Sequence, residues 1–96
     1  MKIKVLKKTG KELKIEIEGE GHSFCNALQR VLLADEAIET AGYNISHPLT
    51  ASPVVHVRTQ KGRPETALKN AAEKLQKKTK QFQDAFEKAL KEWRQK

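Results

Sequence analysis

The sequence predicts an α+β fold: a single two-layer ββαββα domain over residues 1–96, with a four-stranded sheet, two helices and a long C-terminal helix. Three observations predict it. Apolar and charged residues alternate with period two in short runs. Apolar residues recur every three or four positions in two other stretches. Turn residues (Thr9-Gly10, Gly19-Glu20-Gly21, Ser46-His47-Pro48, Gly62-Arg63-Pro64) divide these runs from one another. A chain of 96 residues suits one small domain. Its 22 Leu, Ile, Val and Phe residues lift it above the composition of disordered chains.

Residues 3–17 read as a hairpin. Ile3 and Val5 alternate with Lys2 and Lys4, and Leu13, Ile15 and Ile17 alternate with Lys14, Glu16 and Glu18. One apolar and one charged face imply a sheet covered on one side. Ser23 is placed as the N-cap of a helix running to about Ala34. Phe24, Ala27, Leu28, Val31 and Leu32 form its apolar stripe, with Asn26, Gln29 and Arg30 off the centre. Residues 37–46 and 53–60 read as the third and fourth strands. From Pro64 to Gln95 nothing interrupts a helix. Pro64 suits its first position and Glu65 its positive end. Leu68, Ala72, Leu75, Thr79, Phe82, Phe86, Ala89 and Trp93 recur at spacings of four and three, a heptad seam.

That helix is too long for its sheet. Thirty-two residues span about 48 Å, and a seven-residue strand spans only about 23 Å. The polar stretch Gln76-Lys77-Lys78-Thr79-Lys80-Gln81 divides it, and beyond lie the bulky Phe82, Phe86, Leu90 and Trp93. Left in water these four make an apolar patch that monomers rarely carry. Residues 82–93 are therefore expected to dock on another chain; the alternative is that the helix bends back over its own sheet or frays after Thr79.

Composition excludes much. One cysteine, Cys25, leaves no intramolecular disulfide and no zinc site built on cysteine pairs. The longest apolar run, Val31-Leu32-Leu33-Ala34, is far too short to cross a membrane. Met1-Lys2-Ile3-Lys4-Val5 opens on strand-like alternation, not on a leader. A soluble, cytoplasmic protein is expected. The net charge of +7 raises the prior for an anionic partner, but the excess sits at both ends, interleaved with acids, and few aromatics are present to stack on bases. His22, His47 and His56 match no metal-binding spacing, and Cys25 has no base beside it in sequence. Lys77, Lys78 and Lys80 read as a solvated helix face. No catalytic residue, metal ligand or cofactor site is assigned.

The run Gly21-His22-Ser23-Phe24-Cys25-Asn26-Ala27-Leu28-Gln29-Arg30-Val31-Leu32-Leu33 resembles the first helix of the alpha-type assembly subunits of RNA polymerase, the small archaeal subunit L family among them. Tyr43-Asn44-Ile45-Ser46-His47-Pro48-Leu49 and Val57-Arg58-Thr59 resemble other stretches of that family, and the likeness covers essentially the whole chain. Gly21, Ser23, Gln29 and Arg63 depart from its usual residues without removing the apolar stripe. The resemblance implies a non-catalytic subunit of DNA-directed RNA polymerase. It implies pairing with the larger alpha-like subunit, called D in archaea. The large polymerase subunits then assemble on that pair, and DNA is met only through the complex. The expected partner interface comprises Phe24, Asn26, Leu28, Arg30, Leu32, Phe82, Phe86, Leu90 and Trp93. The alternative reading is a free-standing basic α/β module that binds nucleic acid.

Overall fold

The computed structural model describes residues 2–45, 52–75 and 79–94. The turn expected at Ser46-His47-Pro48 and the residues Gln76, Lys77 and Lys78 of the polar stretch lie outside them.

Alternation builds the sheet. Strands β1 (Lys2–Lys8), β2 (Glu12–Glu18), β3 (Ile38–Asn44) and β4 (Val54–Thr59) form one antiparallel sheet in the order β1-β2-β4-β3. Register puts Ile3 opposite Ile17, Val5 opposite Ile15, and Ile15 opposite Val55, so the apolar residues of successive strands share one face. The hairpin turn is closed by Thr9, whose Oγ1 accepts from the Glu12 amide at 2.9 Å while its own amide donates to the Glu12 carbonyl at 2.8 Å. A bulge shifts the register of β1 between Val5 and Lys7 and leaves Leu6 exposed. The turn after β4 needs glycine: Gly62 has φ +78°, and its carbonyl accepts from the buried Thr59 hydroxyl at 3.0 Å.

Helix α1 (His22–Leu33) crosses to the far edge and lies over β3. Its cap falls two residues before the expected Ser23. Gly21 occupies the N-cap with no side-chain bond, and Ser23 sits exposed in the first turn. Beyond the helix, the Asp35 carboxylate closes a turn by accepting from the Ala37 amide at 2.9 Å.

The long helix is corrected to two. Helix α2 (Pro64–Glu73) lies over β4 and β2, and helix α3 (Thr79–Arg94) returns over β1. The reason is visible in what each covers. With α1 above β3 and α2 above the middle strands, Ile3 and Val5 on β1 have no wall until α3 supplies one. Phe82 and Phe86 are 0% exposed in the same core as Leu13, Ile15, Leu28 and Leu68. Phe82 meets Phe24 of α1 with ring centroids 6.1 Å apart and Phe86 at 5.6 Å. The expected bare patch does not form.

Candidate functional site

Helix α1 carries three rows of side chains with different surroundings. Cys25, Leu28 and Leu32, at spacings of three and four, point into the core and are buried. Ser23, Asn26, Arg30 and Leu33 form the opposite, exposed row, and Leu33 at 54% is the most exposed large apolar residue among those described. Between them runs Phe24, Ala27 and Val31, half-buried, with Leu75 at the end of α2 packed into the same cluster. A cleft of about 470 Å³ opens there, lined by Gly21, His22, Ser23, Phe24, Ala27 and Leu75 among others.

Two polar contacts fix α1 relative to the sheet. The Gln29 side chain donates to the Ala41 carbonyl on edge strand β3 at 3.4 Å, occupying an acceptor that an incoming strand would use. His22 Nδ1 and Tyr43 Oη share a hydrogen bond at 3.0 Å, and their rings meet edge to face. The row Phe24, Ala27 and Val31 is thus held on a rigid helix, half-dry, beside a cleft.

The expected interface residues divide by environment. Asn26 and Arg30 stand exposed, and Phe24, Leu90 and Trp93 are half-buried. Leu28 and Leu32, expected to face sheet or partner, and Phe82 and Phe86, expected to be bare in the free chain, are all core residues here, each with an apolar wall within its own domain. Trp93 lines a small crevice with Lys4, Val5, Ala89 and Glu92 and so lies against β1. Val31, Ala27 and Leu75, absent from the expected interface, share this half-buried environment. The signal for them was the width of the stripe on α1, which spans more of the helix circumference than one sheet contact can cover.

The remaining polar chemistry sits elsewhere. On the open face of the sheet Glu12 accepts from Arg58 at 3.1 Å and lies 3.6 Å from Lys7 and 3.4 Å from His56; Arg58 also reaches Glu39 at 2.9 Å. The His56 hydrogen bond holds the Glu12 carboxyl below its ordinary value against slight desolvation, with help from Lys7 and Arg58. Burial pushes the Cys25 thiol up to about 11, which suits a packing residue and not a nucleophile. Among the described residues no group of three or more His, Cys, Asp or Glu is placed to hold a metal ion. No described helix is long and apolar enough to cross a membrane. Lys7, Lys8, Arg58, Arg63 and Lys69 all meet carboxylates, so part of the positive charge is locally neutralised.

Comparison with known proteins points the same way. Residues 12–92 match the model of the RNA polymerase Rpb3/Rpb11 dimerisation domain. DNA-directed RNA polymerase subunit Rpo11 of Methanocella arvoryzae is 44% identical over 92 residues, covering 95% of this chain and 99% of that protein. Subunit Rpo11 of Pyrococcus horikoshii is 42% identical over 94 residues, covering 95% and 99%. The crystal structure of DNA-directed RNA polymerase subunit L from Thermoplasma acidophilum superposes with a TM-score of 0.70 at 26% identity, covering 97% of this chain and 92% of that one.

Proposed function

Because the chain belongs to the RNA polymerase Rpb3/Rpb11 dimerisation domain family, we propose that it is a non-catalytic polymerase subunit that pairs, in the cytoplasm, with the larger alpha-like subunit of the same enzyme. The pair then serves as the platform on which the large subunits assemble, and DNA is met only through the finished complex. The observation that supports this most is the half-dry row Phe24, Ala27 and Val31 with Leu75 beside it. A rigid helix that leaves apolar residues in two environments at once stabilises itself through one and offers the other to a partner. Phe24 is the aromatic anchor of that row. Asn26 and Arg30, on the adjoining exposed row, form the polar rim and set the orientation of the two chains.

Co-expression with the larger alpha-like subunit tests the reading. Ala27→Arg together with Val31→Asp places charge in the half-dry row without touching the buried one, and is expected to abolish co-purification while circular dichroism stays native. Lys14→Glu, on the open face of the sheet, should leave pairing intact. Stoichiometric recovery of the larger subunit with the doubly substituted chain would remove this row from the interface.

A further inference from the structure

The open face of the sheet breaks its polar pattern at one place. The bulge in β1 sets two consecutive residues, Leu6 and Lys7, outside the inner row of Ile3 and Val5. Register then lines up Lys7, Lys14, His56 and Gly42 across all four strands. A hollow of about 550 Å³ lies along that row, lined by Leu6, Lys14, Gly42, Asn44, Val54 and His56 among others. Its charge is unbalanced. Lys7 and Lys14 stand directly opposite each other, which costs stability. Glu12 relieves Lys7 at 3.6 Å and is shared with His56 at 3.4 Å and Arg58 at 3.1 Å. Among the described residues Lys14 makes no ion pair, and none of those lining the hollow is a carboxylate. Its glycine is also unexplained from within. Gly42 weakens a strand, yet its φ lies outside the left-handed region, and a Cβ there would meet nothing within 4 Å. Neither the backbone nor the packing of this chain requires glycine at that position; what it keeps is the open end of the hollow. Leu6, 41% exposed, and Val54 give the hollow apolar walls.

We infer that this hollow docks an acidic segment of a protein other than the pairing partner. One bulky apolar side chain of that segment sits against Leu6 and Val54, and a flanking carboxylate accepts from the Lys14 ammonium. The carboxylate supplies the charge that Lys14 lacks and relieves its repulsion with Lys7. The apolar side chain removes Leu6 from water. Gly42 lets the incoming backbone lie close to β3. A nucleic acid suits the hollow less well. The Tyr43 ring is turned to His22 on the other side of the sheet, so among the described residues no phenol, phenyl or indole ring faces the hollow for a base to stack on. Glu12 and Glu16 stand in the two neighbouring rows, where a phosphate backbone would meet them. The row of Phe24, Ala27 and Val31 belongs to α1, on the opposite side of the sheet, so the two surfaces do not compete and this inference does not rest on the pairing proposed above.

The probe is the acetylated and amidated peptide Glu-Asp-Leu-Asp-Glu, titrated into the isotope-labelled full chain and followed by amide chemical shifts. Shifts should gather around Leu6, Lys14, Gly42 and His56, with a Kd of about 1 mM for so short a segment. The same peptide with Ser in place of Leu should bind about tenfold more weakly. Lys14→Glu should also weaken binding about tenfold. Lys91→Glu makes the same charge change at an exposed position of α3 and should leave binding unaltered. Gly42→Val should weaken binding about tenfold by filling the open end, while the thermal midpoint stays level or rises because a β-branched residue suits a strand. That variant separates a lost site from a damaged fold. Equal losses from Lys14→Glu and Lys91→Glu, or shifts spread over the whole chain, would mean that net charge alone attracts the peptide and would overturn the inference. So would the absence of localised shifts at several times the expected Kd. An octathymidylate that moves the same amides at lower concentration than the peptide would assign the hollow to nucleic acid and overturn it as well.

Discussion

On β2, Leu13, Ile15 and Ile17 face the helices and are buried, while Glu12, Lys14 and Glu16 face outward and are only partly covered. The same alternation on β4 buries Val55 and Val57 and turns Val54, His56 and Arg58 outward. The two faces of one sheet thus come from neighbouring residues and differ in what they contribute. The inner face removes apolar area from water, which is non-directional and stabilises strongly. The outer face carries ion pairs such as Glu12 with Arg58, which are exposed, screened by salt and weak. Stability is therefore set on the inner face, and the outer face sets charge and pH response.

The strongest way to break the comparison is on the inner face. Phe86→Ala should lower the unfolding free energy of the free chain by about 3–5 kcal/mol, and Leu28→Ala by about 2–5 kcal/mol, read from urea denaturation midpoints. A Phe86→Ala loss below about 1 kcal/mol would mean that α3 is not a structural wall over β1. A middling effect is expected at the border between the faces. Gln29→Ala removes the bond to the Ala41 carbonyl and should cost about 0.5–1.5 kcal/mol. It should also leave edge strand β3 more prone to self-association, visible by light scattering.

The smallest effect is expected on the outer face, where its sign matters more than its size. The Glu12 carboxyl has a folded pKa below its unfolded one, principally through its hydrogen bond to His56. Such a group stabilises the fold above the unfolded pKa, and that contribution is lost as pH falls through the folded pKa. The stability difference between the unsubstituted chain and Glu12→Gln should be positive at neutral pH and shrink toward zero below the ordinary glutamate pKa of about 4.3. Thermal melts of both chains across that range check it; a difference that grows on acidification would reverse the assignment.

Much of the fold is legible in the residue pattern. The strands expected at 3–17, 37–46 and 53–60 appear within one or two residues of those bounds, because period-two alternation with one wet face reports a half-covered sheet directly. The start of α1 is easily misread because Ser23 is a good cap residue, whereas Gly21 caps through backbone conformation alone. Of the site, the motif around Phe24 and Asn26 is legible, but the split of the α1 stripe into a buried row and a half-dry row is not. That split depends on how far α2 leans toward α1, which no local pattern encodes.

The sequence by itself determined which residues of each element are apolar, where the strands turn, and that the C-terminal seam is continuous from Leu68 to Trp93. These are local properties, written in spacing and in the φ preferences of glycine and proline. Only the tertiary structure decided the strand order β1-β2-β4-β3 and the wall against which each half of that seam is buried. The physical reason is that periodicity specifies a greasy face but not its cover. The cover is chosen by contacts between residues far apart in sequence: the bare Ile3 and Val5 of the first strand drew α3 back across the sheet.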